Sequence, residues 1–157
     1  MHEPLDAVDR RIVAELEADG RLSGRSLAER VSISRANAYA RMERLIDRGV
    51  ITGFTAVVDP AQVGLTTSAY VSLSVRQASW RDLRDRLLQI PEVRHVALTG
   101  GEFDVILLVR AADNDALRRV VLEQLQAIPE VESTRTYLIF EDVRADPAVE
   151  GQLGRHG

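Results

Sequence analysis

Ile90-Pro91-Glu92-Val93 recurs downstream as Ile128-Pro129-Glu130-Val131, each time between a stretch of helical period and a stretch of alternating period. Working outward, the first copy joins a helix over Ser79 to Ile90 to a strand over Val93 to Leu98. The second joins a helix over Asn114 to Ile128 to a strand over Val131 to Phe140. A strand precedes each helix, at Tyr70 to Arg76 and at Phe103 to Arg110. The order is β-α-β-β-α-β, two copies of one βαβ unit, and predicts a single ferredoxin-like domain over residues 67–144. A solenoid would need three or more such units.

The strand Phe103 to Arg110 carries apolar residues on both faces: Phe103, Val105, Leu107 and Val109 on one, Ile106 and Leu108 on the other. The two helices, with Trp80, Leu83 and Leu87 on one and Leu117, Val121 and Leu125 on the other, cover one sheet face only. A second copy of the chain is the expected cover for the remaining face.

Upstream the period is helical. Asp6 and Asp9 resemble a capping box opening a helix in which Val8, Ile12 and Leu16 repeat, and Gly20 ends it. Ser23 caps a second helix, Gly24 to Val31. Ser32-Ile33 makes a tight connection. Ser34 caps a third helix that runs to about Arg48 with Gly49 as its C′ residue. Three short helices with a tight turn between the last two predict a helix-turn-helix over residues 1–52. Alternation from Val50 to Val58 then predicts a small hairpin or wing, and residues 53–66 form hairpin and linker. Residues 145–157 read as a flexible tail. The fold class expected is α+β: a three-helix, winged helix-turn-helix followed by a ferredoxin-like βαββαβ domain.

Charge supports that division. The chain has 20 basic residues, all arginine, against 24 acids, a net −4, which argues weakly against nucleic acid. Residues 21–48, however, hold seven arginines (21, 25, 30, 35, 41, 44 and 48) and three acids, a basic island in an acidic protein. No apolar run spans a bilayer, and Met1-His2-Glu3-Pro4 lacks the basic start and apolar stretch of a secretion signal. A cytoplasmic, nucleoid-associated protein is expected. Without cysteine there are no disulfides, thiol nucleophiles or cysteine zinc sites.

On the third helix, Arg35, Asn37, Arg41 and Arg44 are expected to lie away from the Leu45 face. The small residues Ala36 and Ala40 between them permit close approach to a groove. Arginine reads guanine edges or grips phosphate, and asparagine suits adenine. With Ser23 and Ser34 at the helix starts, these residues form the expected DNA-binding set.

In the second domain Thr99-Gly100-Gly101-Glu102-Phe103-Asp104 turns between two strands. Adjacent glycines let amides approach a carboxylate, and Glu102 or Asp104 can receive an ammonium, so an amino-acid-like effector fits. Thr134 and Thr136 are expected to add hydroxyls. A plain hairpin turn explains the same loop. Histidines 2, 95 and 156 make no metal spacing, no nucleophile elbow or phosphate loop is present, and neither catalysis nor a cofactor is expected.

The segments Leu5-Asp-x-x-Asp-Arg-x-Ile12, Asp19-Gly-Arg-Leu-Ser23, Arg41-Met-x-x-Leu45, Gly49-Val-Ile51, Gly101-Glu-Phe-Asp104 and Thr134-Arg-Thr-Tyr137 resemble the leucine-responsive regulatory protein/AsnC family of feast/famine regulators. The resemblance runs from about Leu5 to about Arg144. It implies a winged helix-turn-helix for double-stranded promoter DNA. It also implies a ferredoxin-like regulator-of-amino-acid-metabolism domain whose sheets pack between subunits. Dimers in that family assemble into tetramers or octamers and bind amino acids between subunits, near the loop that matches Gly101, Glu102 and Asp104. Gly100 departs from the family's Ser or Thr and lacks its hydroxyl. Two other readings compete: an RNA-binding ferredoxin-like module, which would need aromatic residues on the strand that here carries Phe103-Asp-Val-Ile-Leu-Leu-Val109, and an amino-acid-sensing subunit of an enzyme.

Overall fold

A computed structural model describes residues 4–76 and 80–143. The expected tail at 145–157 and the helix start at Ser79 lie outside the described residues. The chain divides into two compact units, with the break between Val57 and Val58.

The first unit holds α1 (Ala7–Ala18), α2 (Gly24–Val31) and α3 (Arg35–Asp47). Each begins on a polar cap in extended conformation: Asp6, Ser23 and Ser34 accept the amides of Asp9, Ser26 and Asn37. Satisfying these otherwise orphaned donors fixes where each helix starts. Ile12, Leu16, Leu27, Val31 and Leu45 are buried together, with Met42 and Ile51 packed against them. Each such side chain contributes about 1.5–3 kcal/mol by leaving water.

α2 and α3 end the same way. In α2 the Ser32 amide donates to the Glu29 carbonyl and the Ile33 amide to Ala28; in α3 the Gly49 amide donates to Ile46 and the Val50 amide to Leu45. Ser32 and Gly49 both take left-handed backbone, φ 62° and 69°, which closes the paired bonds over the last carbonyls.

The hairpin expected over residues 50–58 does not form. Val50 and Ile51 fold back onto the end of α3, both donating to the Leu45 carbonyl. The backbone from Thr52 to Asp59 enters no ladder, and Phe54, Val57 and Val58 are exposed. A two-stranded hairpin without a third strand or a covering layer is marginal, and among the described residues neither comes beside this segment.

The second unit contains β1 (Thr67–Val75), α4 (Trp80–Leu87), β2 (Val93–Leu98), β3 (Val105–Ala111), α5 (Asn114–Arg119) and β4 (Val131–Leu138). α5 continues as a π-helical turn over Val120–Leu125, where the sequence led us to expect one regular helix. The sheet is antiparallel in the order β2-β3-β1-β4, as a ferredoxin-like fold requires. The repeat fixes both helix-to-strand corners. Val93 and Val131 donate to the carbonyls of Ile90 and Ile128, while Arg110 and Arg76 donate their amides to the carbonyls of Glu92 and Glu130. Both repeat isoleucines are buried.

Val71, Leu73, Val105, Leu107 and Val109 face the helices and are buried with Leu83, Leu87 and Leu125. The other sheet face carries Tyr70 opposite Leu108 and Tyr137, and Ser72 opposite Ile106 and Arg135. Neither helix covers it.

Candidate nucleic-acid interface and effector loop

Ser34 accepts the Asn37 amide at 3.2 Å, and from that start Arg35, Ala36, Asn37, Tyr39 and Ala40 emerge exposed on α3. Ser23 is likewise held by its role as cap, accepting the Ser26 amide at 3.0 Å. Arg35 has no carboxylate partner among the described residues; its guanidinium lies 5.6 Å from the centroid of the Tyr39 ring. Tyr39 is a member of this face that sequence reasoning left out. The signal was Gly24: a Cβ there would stand 2.4 Å from Tyr39 Cζ, so only glycine lets the ring lie against the first turn of α2.

The expected outward placement of Arg41 is corrected, whereas Arg44 stays 50% exposed while pairing with the neighbouring helix. Arg41 Nη1 donates to Asp6 Oδ2 at 2.6 Å and to Asp9 Oδ1 at 2.7 Å. Arg44 Nη2 donates to Asp9 Oδ1 at 3.1 Å and Oδ2 at 3.0 Å. The Arg41 side chain is 20% exposed and that of Asp9 3%. The capping box is therefore half formed. Asp6 takes the Asp9 amide, but the Asp9 carboxylate turns to the arginines of α3 instead of back to the cap. Physically, a carboxylate this deeply buried requires a cation, and the arginines one turn apart on the neighbouring helix supply it. The Asp6 carboxyl is held below its ordinary 3.8, chiefly by the hydrogen bond from Arg41 and then by the Asp9 amide.

In the second unit the loop of residues 99–104 closes on itself. The Thr99 amide donates to the Asp104 carbonyl at 2.8 Å, and the Thr99 hydroxyl donates to the Phe103 carbonyl. Asp104 is committed to the fold: its Oδ2 accepts the Val75 amide at 2.9 Å, at the point where the β1–β4 register shifts between Ser74 and Val75. A Cβ at Gly100 or Gly101 would meet nothing within 4 Å, so neither glycine is required by packing inside the chain. Glu102 Oε1 accepts from Arg135 Nη1 at 3.1 Å, and Arg135 also lies 5.1 Å from the centroid of the Phe103 ring. Arg135 is the second residue the sequence reading missed. Its signal was position: it alternates with Thr134 and Thr136 on β4.

That alternation separates the expected effector set. Thr134 and Thr136 stand opposite Leu73 and Val71, so both point to the helix-covered face. Thr134 Oγ1 accepts from Gln126 Nε2 at 3.0 Å, and Thr136 lines an apolar groove with Leu117, Val121 and Leu138. Glu102 with Arg135 belongs to the open face. The side-chain period of two in a strand makes this split unavoidable. Among the described residues no group of three or more His, Cys, Asp or Glu could hold a metal ion, and no helix is long and apolar enough to cross a membrane.

Residues 5–52 match the model of a winged helix-turn-helix DNA-binding family, and residues 68–149 match that of the Lrp/AsnC ligand-binding domain. The chain is similar to the HTH-type transcriptional regulator AldR of Mycobacterium tuberculosis, with 39% identity over 89% of this chain and 80% of that protein. It is also similar to a proline dehydrogenase transcriptional activator of Rhizobium radiobacter, with 32% identity over 90% of this chain and 93% of that one. Among solved structures, a transcriptional regulator from Neisseria meningitidis in complex with L-methionine superposes with a TM-score of 0.83 at 27% identity, covering 90% of this chain and 94% of that chain.

Proposed function

The chain belongs to the Lrp/AsnC family of transcriptional regulators, DNA-binding proteins and not enzymes, and from that premise we propose how its residues divide the work. Residues 1–52 bind double-stranded promoter DNA by inserting α3 into the major groove. Arg35 and Asn37 meet base edges or phosphates there, Ala36 and Ala40 allow the approach, and Ser23 and Ser34 stand at the helix starts near the backbone. Residues 53–66 link this unit to residues 67–144, which bind the effector and join subunits. A promoter-binding regulator of this kind works in the cytoplasm, on the nucleoid.

The observation that carries the reading is the outer face of α3. Arg35 and Asn37 project from it among small residues, and among the described residues Arg35 has no carboxylate partner. Ala36 and Ala40 leave room there for a groove wall to approach the backbone of α3.

The effector is an amino acid or a close relative. Glu102 and Arg135 present opposite charges 3.1 Å apart on side chains 70% and 62% exposed. A pair so exposed is worth little by itself, and a zwitterion's ammonium and carboxylate can replace each partner in turn. The amides of Gly100 and Gly101 add donors for the carboxylate. The relative solved with L-methionine supports this class of ligand. The open sheet face pairs two copies into a dimer, and dimers assemble further, into tetramers or octamers.

Quantitative binding of the whole chain to duplexes enriched from random sequence tests the interface. We expect selective binding that weakens steeply with salt, at half-sites about 34 Å apart or a multiple of that. Arg35→Ala and Asn37→Ala should each cost about 1–3 kcal/mol of discrimination at one base position. Indifference to duplex sequence, or tighter binding to single-stranded RNA, would overturn the reading. Thermal shift against a panel of amino acids tests the effector: a raised Tm abolished by Arg135→Ala is expected, and one untouched by Arg135→Ala removes this site.

A further inference from the structure

Two arginines one turn apart on the recognition helix share a single buried carboxylate. Asp9 is 2% exposed, and its two oxygens accept three bonds, one from Arg41 and two from Arg44, between 2.7 and 3.1 Å. One such bond would act as a pivot. Bonds from successive turns of α3 fix both the rotation of the helix about its axis and its slide along α1. The same network reaches the exposed face: Arg41 Nε donates to Asn37 Oδ1 at 3.1 Å. A guanidinium has no acceptor, so the atom of Asn37 turned toward it must be the oxygen. The Nδ2 amino group of Asn37 is thereby left facing outward, and Oδ1 keeps a second lone pair. That is the presentation a bidentate contact to adenine requires.

We infer that Asp9 is a positioning residue for DNA readout: it anchors Arg41 and Arg44, and through Arg41 it sets the orientation of Asn37. The inference rests on the reading of α3 as the recognition helix. It assigns the two arginines a different job from direct phosphate contact, and the two assignments predict opposite signs for one substitution. Asp9→Asn keeps the shape and removes the charge. If the arginines are anchors, selectivity falls. If they are phosphate contacts that Asp9 restrains, releasing them tightens binding and steepens the salt dependence by about one unit of slope per added contact.

The experiment uses the full chain and a duplex enriched from random sequence with the wild-type protein, alongside an unrelated duplex of equal length. Affinity for both is measured across a salt series for wild type, Asp9→Asn, Asn37→Ala and the double variant. We expect Asp9→Asn to lose about tenfold in affinity for the enriched duplex, the worth of one bidentate base contact. Affinity for the unrelated duplex and the salt slope stay at wild-type values. On the Asn37→Ala background Asp9→Asn costs nothing further, because both act on the same contact. Destabilisation alone would not produce that coupling. Should Asp9→Asn lack the helical circular dichroism of wild type, Arg41→Lys takes its place in the cycle. It keeps a cation on Asp9 but lacks the Nε donor to Asn37, and the same loss and the same non-additivity are expected.

Tighter binding with a steeper slope, or losses that add fully to those of Asn37→Ala, would overturn the inference while leaving the interface standing. A wild-type protein that enriches no sequence overturns the interface, and the inference with it.

Discussion

The two carboxylate oxygens of Asp6 hold different parts of the first unit. Oδ1 accepts the Asp9 amide at 2.7 Å and starts α1; Oδ2 accepts Arg41 Nη1 at 2.6 Å and ties that start to α3. Because the folded pKa lies below 3.8, the charged form is favoured by folding. The stabilisation is therefore fully present above that ordinary value and is lost as pH falls through the lowered one. Wild type and Asp6→Asn should melt apart at about pH 6, and the gap should shrink as pH falls below 3.8, followed by helical circular dichroism. A gap that widened toward acid would contradict the sign. Asp6→Ala, which also loses the cap, should melt lower than Asp6→Asn throughout. The cap itself was legible in the sequence, since a polar residue before a helical period has one common use. The partner of Asp9 was not: the arginines that neutralise it stand 32 and 35 positions away, and only packing of α1 on α3 brings them together.

At the scale of the element, α2 and α3 end in the same pair of hydrogen bonds, yet only one ending could be read beforehand. Gly49 announces a left-handed C′ position because glycine takes it without steric cost. Ser32 does the same work at φ 62° with a side chain that resists it. The left-handed conformation costs a residue bearing Cβ about 1–2 kcal/mol, while glycine adds about 0.5–1 kcal/mol of unfolded-chain entropy. Ser32→Gly should therefore stabilise the first unit by about 0.5–1 kcal/mol and Gly49→Ala should destabilise it by about 1 kcal/mol. Both are readable as shifts of the urea midpoint at constant slope. A Ser32→Gly protein of lower midpoint would mean that the serine side chain has a role its backbone geometry does not reveal. The unformed hairpin has the converse origin. Alternation from Val50 to Val58 marks a segment fit for pairing, but pairing needs a second strand, and none within the described chain comes beside it. The split within the expected effector set has a related reason. Thr134 and Thr136 are expected from the sequence to add hydroxyls to that site, whereas the strand period turns them to the opposite face from Arg135.

For the molecule as a whole, the decisive surface is the sheet face that no helix covers. Tyr70, Leu108 and Tyr137 lie side by side across β3, β1 and β4, with Ile106 beside them. The alternation within β3 predicts a cover there, and both described helices of the second unit pack on the opposite face. A second copy meeting this face about a two-fold axis would place each copy's β3 against the same patch on the other, so one substitution is felt twice. Leu108→Glu on both copies buries two like charges in the interface, a cost of several kcal/mol. It should raise the dimer dissociation constant by at least about a hundredfold. Sedimentation equilibrium should then report the mass of one chain, while the strand signal in circular dichroism persists. Loss of the second half-site contact removes the avidity of a linked pair, so affinity for a two-half-site duplex should fall by about 10²–10⁴ while affinity for a single half-site stays at the wild-type value. If Leu108→Glu remained dimeric, the copies must meet elsewhere, and the open face would need another occupant. If it became monomeric with two-half-site affinity intact, each chain reads DNA alone, and the spacing of half-sites would carry no information for this protein.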